Sequence, residues 1–134
     1  MKLTKKYSIP LILMLTILTN CKMENNNEPK DIYTLGIWTV KPDKEKEFIN
    51  EWTEFANWTD KNISGPGKAY LLQDEKNPLR FISFGPWDNE KSIQVWREST
   101  EFKSFAAKIE ELCDDFQPNS LRVVSSSKLM SDKQ

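Results

Sequence analysis

The chain has 134 residues, which suits one domain with a real core better than two. Charged residues make up 29% and hydrophobic ones 38%, the mix of a globular domain, and a formal charge of −1 argues against a nucleic-acid surface, which wants a basic patch. There is no histidine, so the commonest general base, the commonest metal ligand and the usual proximal haem ligand are removed together.

Lys2, Lys5 and Lys6 precede an apolar run over residues 8–19, about 12 residues long and too short to span a bilayer as a helix. This is a signal-peptide layout, so residues 1–20 are set apart from the fold. Without them 16 Lys and Arg stand against 20 Asp and Glu, a balance of −4. The run ends in Leu18-Thr19-Asn20-Cys21, which resembles a bacterial lipobox. Leu18 and Cys21 fit that pattern, and Asn20 stands where it usually has Gly, Ala or Ser. The resemblance implies cleavage before Cys21, lipidation of that cysteine, and an extracytoplasmic domain anchored to a membrane; plain secretion or a periplasmic location is the alternative. Residues 21–30 are polar and Asn-rich and read as a flexible tether. The folded domain is expected over 31–127, with a polar tail over 128–134.

Asp31 to Val40 is rich in β-branched and aromatic residues and predicts a strand. Pro42-Asp43 then opens a helix, on which Phe48, Ile49, Trp52, Phe55, Ala56 and Thr59 form a one-sided stripe with Trp58 at its edge. Ser64-Gly65-Pro66-Gly67 breaks the chain. Lys68 to Gln73 is a second strand, joined through the polar turn Asp74–Pro78 to a third from Arg80 to Phe84, which Gly85-Pro86 is expected to end. Asp88 or Asn89 caps a helical region running to Phe116, with a break near Ser99-Thr100 where Thr100 caps a new start. Its apolar residues, Phe102, Phe105, Ala106, Ile109, Leu112, Cys113 and Phe116, have helical spacing. Glu110, Glu111, Asp114 and Asp115 read as its solvated face, and Cys113 as a small buried hydrophobe on its apolar one. Pro118 stops this helix, and Leu121 to Ser126 is the last strand. The order β-α-β-β-α-β predicts an α+β, ferredoxin-like antiparallel sheet with its helices on one face.

Arg80-Phe-Ile-Ser-Phe-Gly-Pro-Trp87, then Trp96-Arg97, Glu101-Phe102 and Asp115-Phe116-Gln117-Pro118, resemble the antibiotic biosynthesis monooxygenase family. The resemblance covers roughly Ile32 to Ser126 and implies a dimeric α/β barrel, hence a homodimer. It also implies cofactor-independent chemistry, in which the anion of a small aromatic or quinol substrate itself reduces O₂ in a dry pocket. By that resemblance Trp87 matches the family's pocket tryptophan. Arg80 and Asn57 join it as catalytic candidates, and Trp96, Tyr70 and Trp38 are candidate substrate contacts, all chosen by residue type and position. The plainer readings are Tyr70 in the core, Arg80 in a surface ion pair and Asn57 solvated on its helix. No cofactor is expected, and the partner is a small hydrophobic or aromatic molecule. Haem degradation, the family's other chemistry, needs a histidine, and alanine stands about where it would lie. A non-catalytic binding or interaction module of the same fold is the competing reading.

Overall fold

A computed structural model describes residues 31–127. The elements are β1 (Ile32–Val40), α1 (Glu45–Asn62), β2 (Tyr70–Gln73), β3 (Arg80–Trp87), α2 (Glu90–Glu98), α3 (Thr100–Leu112) and β4 (Cys113–Arg122). The four strands form one antiparallel sheet in the order β2-β3-β1-β4. This is the ferredoxin-like α+β plan expected from the sequence.

The central strands alternate cleanly. Gly36, Trp38 and Val40 of β1 and Phe81, Ser83, Gly85 and Trp87 of β3 are buried, and the residues between them are half-buried. The buried side carries the helices. Phe48 of α1, with Ile109 and Leu112 of α3, closes a core around Trp38, Val40 and Phe81. The opposite side of the sheet bears Leu35, Ile37, Ile82 and Phe84, with Tyr70 44% and Leu72 50% exposed.

Each helix start has a local cause. Asp43 takes a left-handed turn (φ 67°), after which Glu45 and Glu47 place acidic charge in the first turn of α1 and Lys61 places basic charge in its last. Asn89 caps α2 by accepting from the Ser92 N–H at 2.9 Å. Ser99 works twice. Its Oγ donates to the Trp96 carbonyl at 2.7 Å, closing α2, and accepts from the Phe102 N–H at 3.1 Å, opening α3. The break therefore falls where the sequence places it, but Ser99 rather than Thr100 is the cap.

Three expectations are corrected. First, β3 does not stop at Phe84: it runs through Gly85-Pro86 to Trp87. The Pro86 carbonyl accepts from the Gly67 N–H at 2.8 Å, so the side of Pro86 that lacks an N–H faces away from β1 and no bond of the β1–β3 ladder is lost. Second, the last helix ends at Leu112, and residues 113–116 belong to β4. A bulge between Thr39 and Val40 in the β1–β4 register lets Cys113 pair with Val40 and Phe116 with Trp38, so two inward residues are three apart instead of two. That spacing imitates a helical face. Cys113 is accordingly buried at a strand start, and Asp114 and Asp115 lie on a strand. Third, Pro118 stops no helix; it pairs with Gly36 in the edge strand. The Val123 N–H donates to the Asp31 carbonyl, which fixes the odd-numbered residues of β4 as the ones bonding to β1, and Pro118 turns its nitrogen to the free edge.

Candidate functional site

Between the buried sheet face and the helices lies a cavity of about 500 Å³. Its floor is set by the β1–β3 register. Thr34 sits opposite Gly85 and Gly36 opposite Ser83, so two hydroxyl side chains alternate diagonally with two glycines. The glycines make the space. A Cβ on Gly36 would meet the Trp38 ring at 2.7 Å, and one on Gly85 would come within 3.1 Å of the Ala69 Cβ, which brings residues 66–69 close over the sheet. Trp38 folds back over Gly36 for this reason.

The walls are aromatic. Trp38 stacks on Phe116 with centroids 3.9 Å apart, Phe55 of α1 stacks on Phe105 of α3 at 4.3 Å, and Trp87 of β3 packs against Trp96 of α2 at 5.1 Å. Each of the three indoles has already given away its N–H. Trp38 Nε1 donates to Ser83 Oγ at 2.9 Å, Trp87 Nε1 to Thr34 Oγ1 at 2.9 Å, and Trp96 Nε1 to Thr59 Oγ1 at 3.0 Å. Buried indoles need such partners. These three tryptophans therefore offer a ligand ring surface and leave polar contacts to the hydroxyls, and Trp52 of α1 completes the aromatic lining. Charged side chains reach the lining only from exposed positions: Asp60 on α1, Lys68 before β2 and Arg97 on α2. Arg97 Nη2 donates to Ser120 Oγ at 3.0 Å.

The structure gathers Trp87, Trp96 and Trp38 around the cavity and leaves Asn57 exposed at its rim. It does not bring Arg80 or Tyr70 there. Arg80 pairs with Asp74 at 3.3 Å in the β2–β3 hairpin. The N–H of Lys76 does most to hold the Asp74 carboxyl below its ordinary value; burial comes next and pushes the other way, and the Asn77 N–H and the Arg80 guanidinium add to the lowering. Tyr70 stacks on Phe84 at 5.6 Å on the outer sheet face, with the Lys68 ammonium 5.0 Å from its ring. Cys113 stands outside the lining, and burial, reinforced by the Asp114 charge, pushes its thiol up to about 11. Such a thiol stays protonated and is no nucleophile. No group of His, Cys, Asp and Glu suited to a metal ion occurs among the described residues.

Sequence reasoning missed Thr34, Ser83 and the space made by Gly36. The signal for the last was present, since a glycine inside a strand often marks a close approach.

A ferredoxin-like α+β domain with an aromatic cavity between sheet and helices is the class of protein this defines. The family model for antibiotic biosynthesis monooxygenase matches residues 32–108, more than half of the chain, and the chain belongs to that family. Among solved structures it is similar to a conserved protein from Methanosarcina mazei Go1, with 25% identity and a TM-score of 0.63 over 68% of this chain and 90% of that one. It is also similar to a variant of SnoaB, a cofactor-independent oxygenase from Streptomyces nogalater, with 12% identity and a TM-score of 0.67 over 73% of this chain and 97% of that one. At that identity the second likeness speaks for the fold. No curated protein sequence matches the chain significantly.

Proposed function

We propose that the domain binds a small aromatic phenol or quinol in this cavity and lets it react with O₂ without a cofactor. The observation that carries the reading is the cavity: about 500 Å³, walled by indole and phenyl rings, with hydroxyls as its inner polar contacts. Membership of the family, and the SnoaB-like fold, supply the type of chemistry. For a phenol with hydrogen on its para carbon the reaction balances with O₂ alone. The phenol loses its proton, the electron-rich ring forms a C–O bond to O₂ at that carbon, the peroxide anion takes a proton back, and the hydroperoxide then breaks its O–O bond as the C–H proton leaves with the outer hydroxyl as water. A quinone carbonyl remains, with one oxygen atom kept and the other released as water. The protein's part is to hold the ring, exclude bulk water and stabilise the anion.

A second reading, a module that holds such a molecule without oxidising it, is favoured by one observation. The ionisable side chains of the lining, Asp60, Lys68 and Arg97, are all exposed, so among the described residues no buried base faces the cavity. Oxygen uptake by the purified protein, over a panel of quinols and polyphenols, separates the two. Uptake that falls in Trp87→Phe supports the oxygenase; binding without uptake by any panel member transfers the assignment to the binding module.

We further propose a homodimer closed through the outer sheet face, and an extracytoplasmic domain tethered by a lipid on Cys21. An uncovered face carrying Ile82, Phe84, Tyr70 and Leu72 is a liability that a second copy removes. Cys21 and the leader lie outside the described residues, and the anchor rests on the sequence pattern alone. Labelling of cells with palmitate tests it: the protein takes up label, and Cys21→Ser does not.

A further inference from the structure

The three hydroxyls that accept from the cavity's indoles still hold a proton each. Thr53, on α1 and also in the lining, spends its own on the Ile49 carbonyl at 2.7 Å, and Ser99 spends its own on Trp96. Thr34, Ser83 and Thr59 make no such bond: among the described residues no acceptor lies within hydrogen-bond reach of their protons. All three line the cavity, Thr34 and Ser83 from the floor and Thr59 from α1. A hydroxyl whose lone pair is held by an N–H is fixed as a donor and polarised toward donating. Thr59 and Ser83 are buried, so an unmade bond there is costly.

We propose that Thr34, Ser83 and Thr59 form a donor-only recognition set, positioned by Trp87, Trp38 and Trp96, that selects ligand oxygens with no proton to give: a phenolate in preference to its phenol, or a carbonyl. This deepens the reading above and rests on its assignment of the cavity to an aromatic ligand. It also answers the missing base. The site takes the phenolate from solution, so no side chain inside has to remove the proton. Two forces compete over the bound phenol. The apolar walls disfavour charge and raise its pKa; three O–H donors stabilise the anion and lower it. The charged residues in the lining are Asp60 from α1, Arg97 from α2 and Lys68 from the loop before β2, whose ammonium is turned to the Tyr70 ring on the outer face; β1, β3, α3 and β4 contribute none, so one anion stands against one cation. The charges offset each other, the three donors decide the balance, and the anion wins.

The test uses the purified full-length protein and 4-nitro-1-naphthol, whose blocked para carbon prevents turnover and whose anion is coloured. Absorbance titration reads the pKa of the free and bound probe; naphthalene, followed by tryptophan quenching, reports ring binding alone. The expected result is a bound pKa about one unit below the free one, meaning tenfold preference for the anion. Thr34→Val removes at least half of that shift and Thr34→Ser keeps it, with naphthalene bound equally by all three proteins. An unchanged or raised pKa in the wild-type complex overturns the donor set and leaves the aromatic cavity standing, and it needs no variant to fold. A shift that survives Thr34→Val and Ser83→Ala intact overturns it as well. Failure to bind either probe overturns the cavity reading itself, and this proposal with it.

Discussion

Trp38 lies flat on Phe116, with ring centroids 3.9 Å apart and planes 10° from parallel, while its indole N–H reaches Ser83 on the strand at the other side. One residue of the central strand thus ties β4 to β3 across the cavity floor. It takes this pose because Gly36, two residues before it on the same face, has no side chain.

Gly36→Ala is therefore an overpacking change. The added methyl would sit 2.7 Å from the Trp38 ring, which is boxed in by Phe48 at 5.4 Å and Phe105 at 6.0 Å and cannot swing aside cheaply. The expected cost is about 1–3 kcal/mol. Urea denaturation at an unchanged m value measures it. An alanine variant as stable as the parent would mean that the ring has room to move, and the cavity floor is softer than described.

How much of this was legible beforehand follows the period of the pattern. α1, 18 residues long, packs through one stripe, and that stripe is visible in the sequence from Phe48 to Thr59. β4 was hidden because the bulge opposite Asp114 set Cys113 and Phe116 three apart, the spacing of a helix. Trp87 was readable through its resemblance to the family's pocket tryptophan, and Trp96 and Trp38 were chosen by residue type and position. The hydroxyls were not. A threonine or serine in a strand looks like any half-exposed position until the register sets Thr34 beside Trp87 and Ser83 beside Trp38. Arg80 and Tyr70 were drawn to the site by residue type, and the hairpin and the outer face hold them instead.

Ser99 joins α2 to α3 through four bonds: two made by its hydroxyl, one by its N–H to the Trp96 carbonyl at 3.2 Å, and one accepted by its carbonyl from the Lys103 N–H at 3.3 Å. Ser99→Ala removes the cap of α3 and is expected to cost about 1–2 kcal/mol, whereas Thr100→Ala, inside the first turn, is expected to cost well under half of that. Thermal unfolding of the two variants side by side decides which residue is the cap. The same substitution loosens the seat of Trp96, so aromatic ligands should bind Ser99→Ala more weakly.

The proposed homodimer makes a separate demand on the outer sheet face. Leu72 pairs with Ile82 and Tyr70 with Phe84, so the side chains of Leu72 and Phe84 share that face. Leu72→Lys together with Phe84→Lys places charge on both strands of the patch. A wild-type protein sedimenting at twice its chain mass, and a double variant sedimenting at one chain mass with unchanged circular dichroism, is the expected pair of results. A monomeric wild type removes the barrel-closing role from this face.

Cys113 gives the fold a pH dependence of definite sign. Its thiol is pushed up to about 11 from the ordinary 9.0 by burial first and the Asp114 charge second, with Lys41 opposing. The native state therefore holds its proton where the unfolded chain has lost it. Stability from this group is fully present below pH 9.0, declines as pH rises, and is gone above about 11. Two units correspond to roughly 2–3 kcal/mol at most. Other groups titrate in the same range, so the informative quantity is the difference between the protein and Cys113→Ala. Below pH 8 the variant is expected to be less stable by about 1 kcal/mol, the loss of a small buried side chain. By pH 10.5 that difference should vanish or reverse, because alanine has no proton to lose. Denaturant midpoints at pH 7.5, 9 and 10.5 check it, and a difference that stays constant across the series would show that the thiol is not held protonated by the fold.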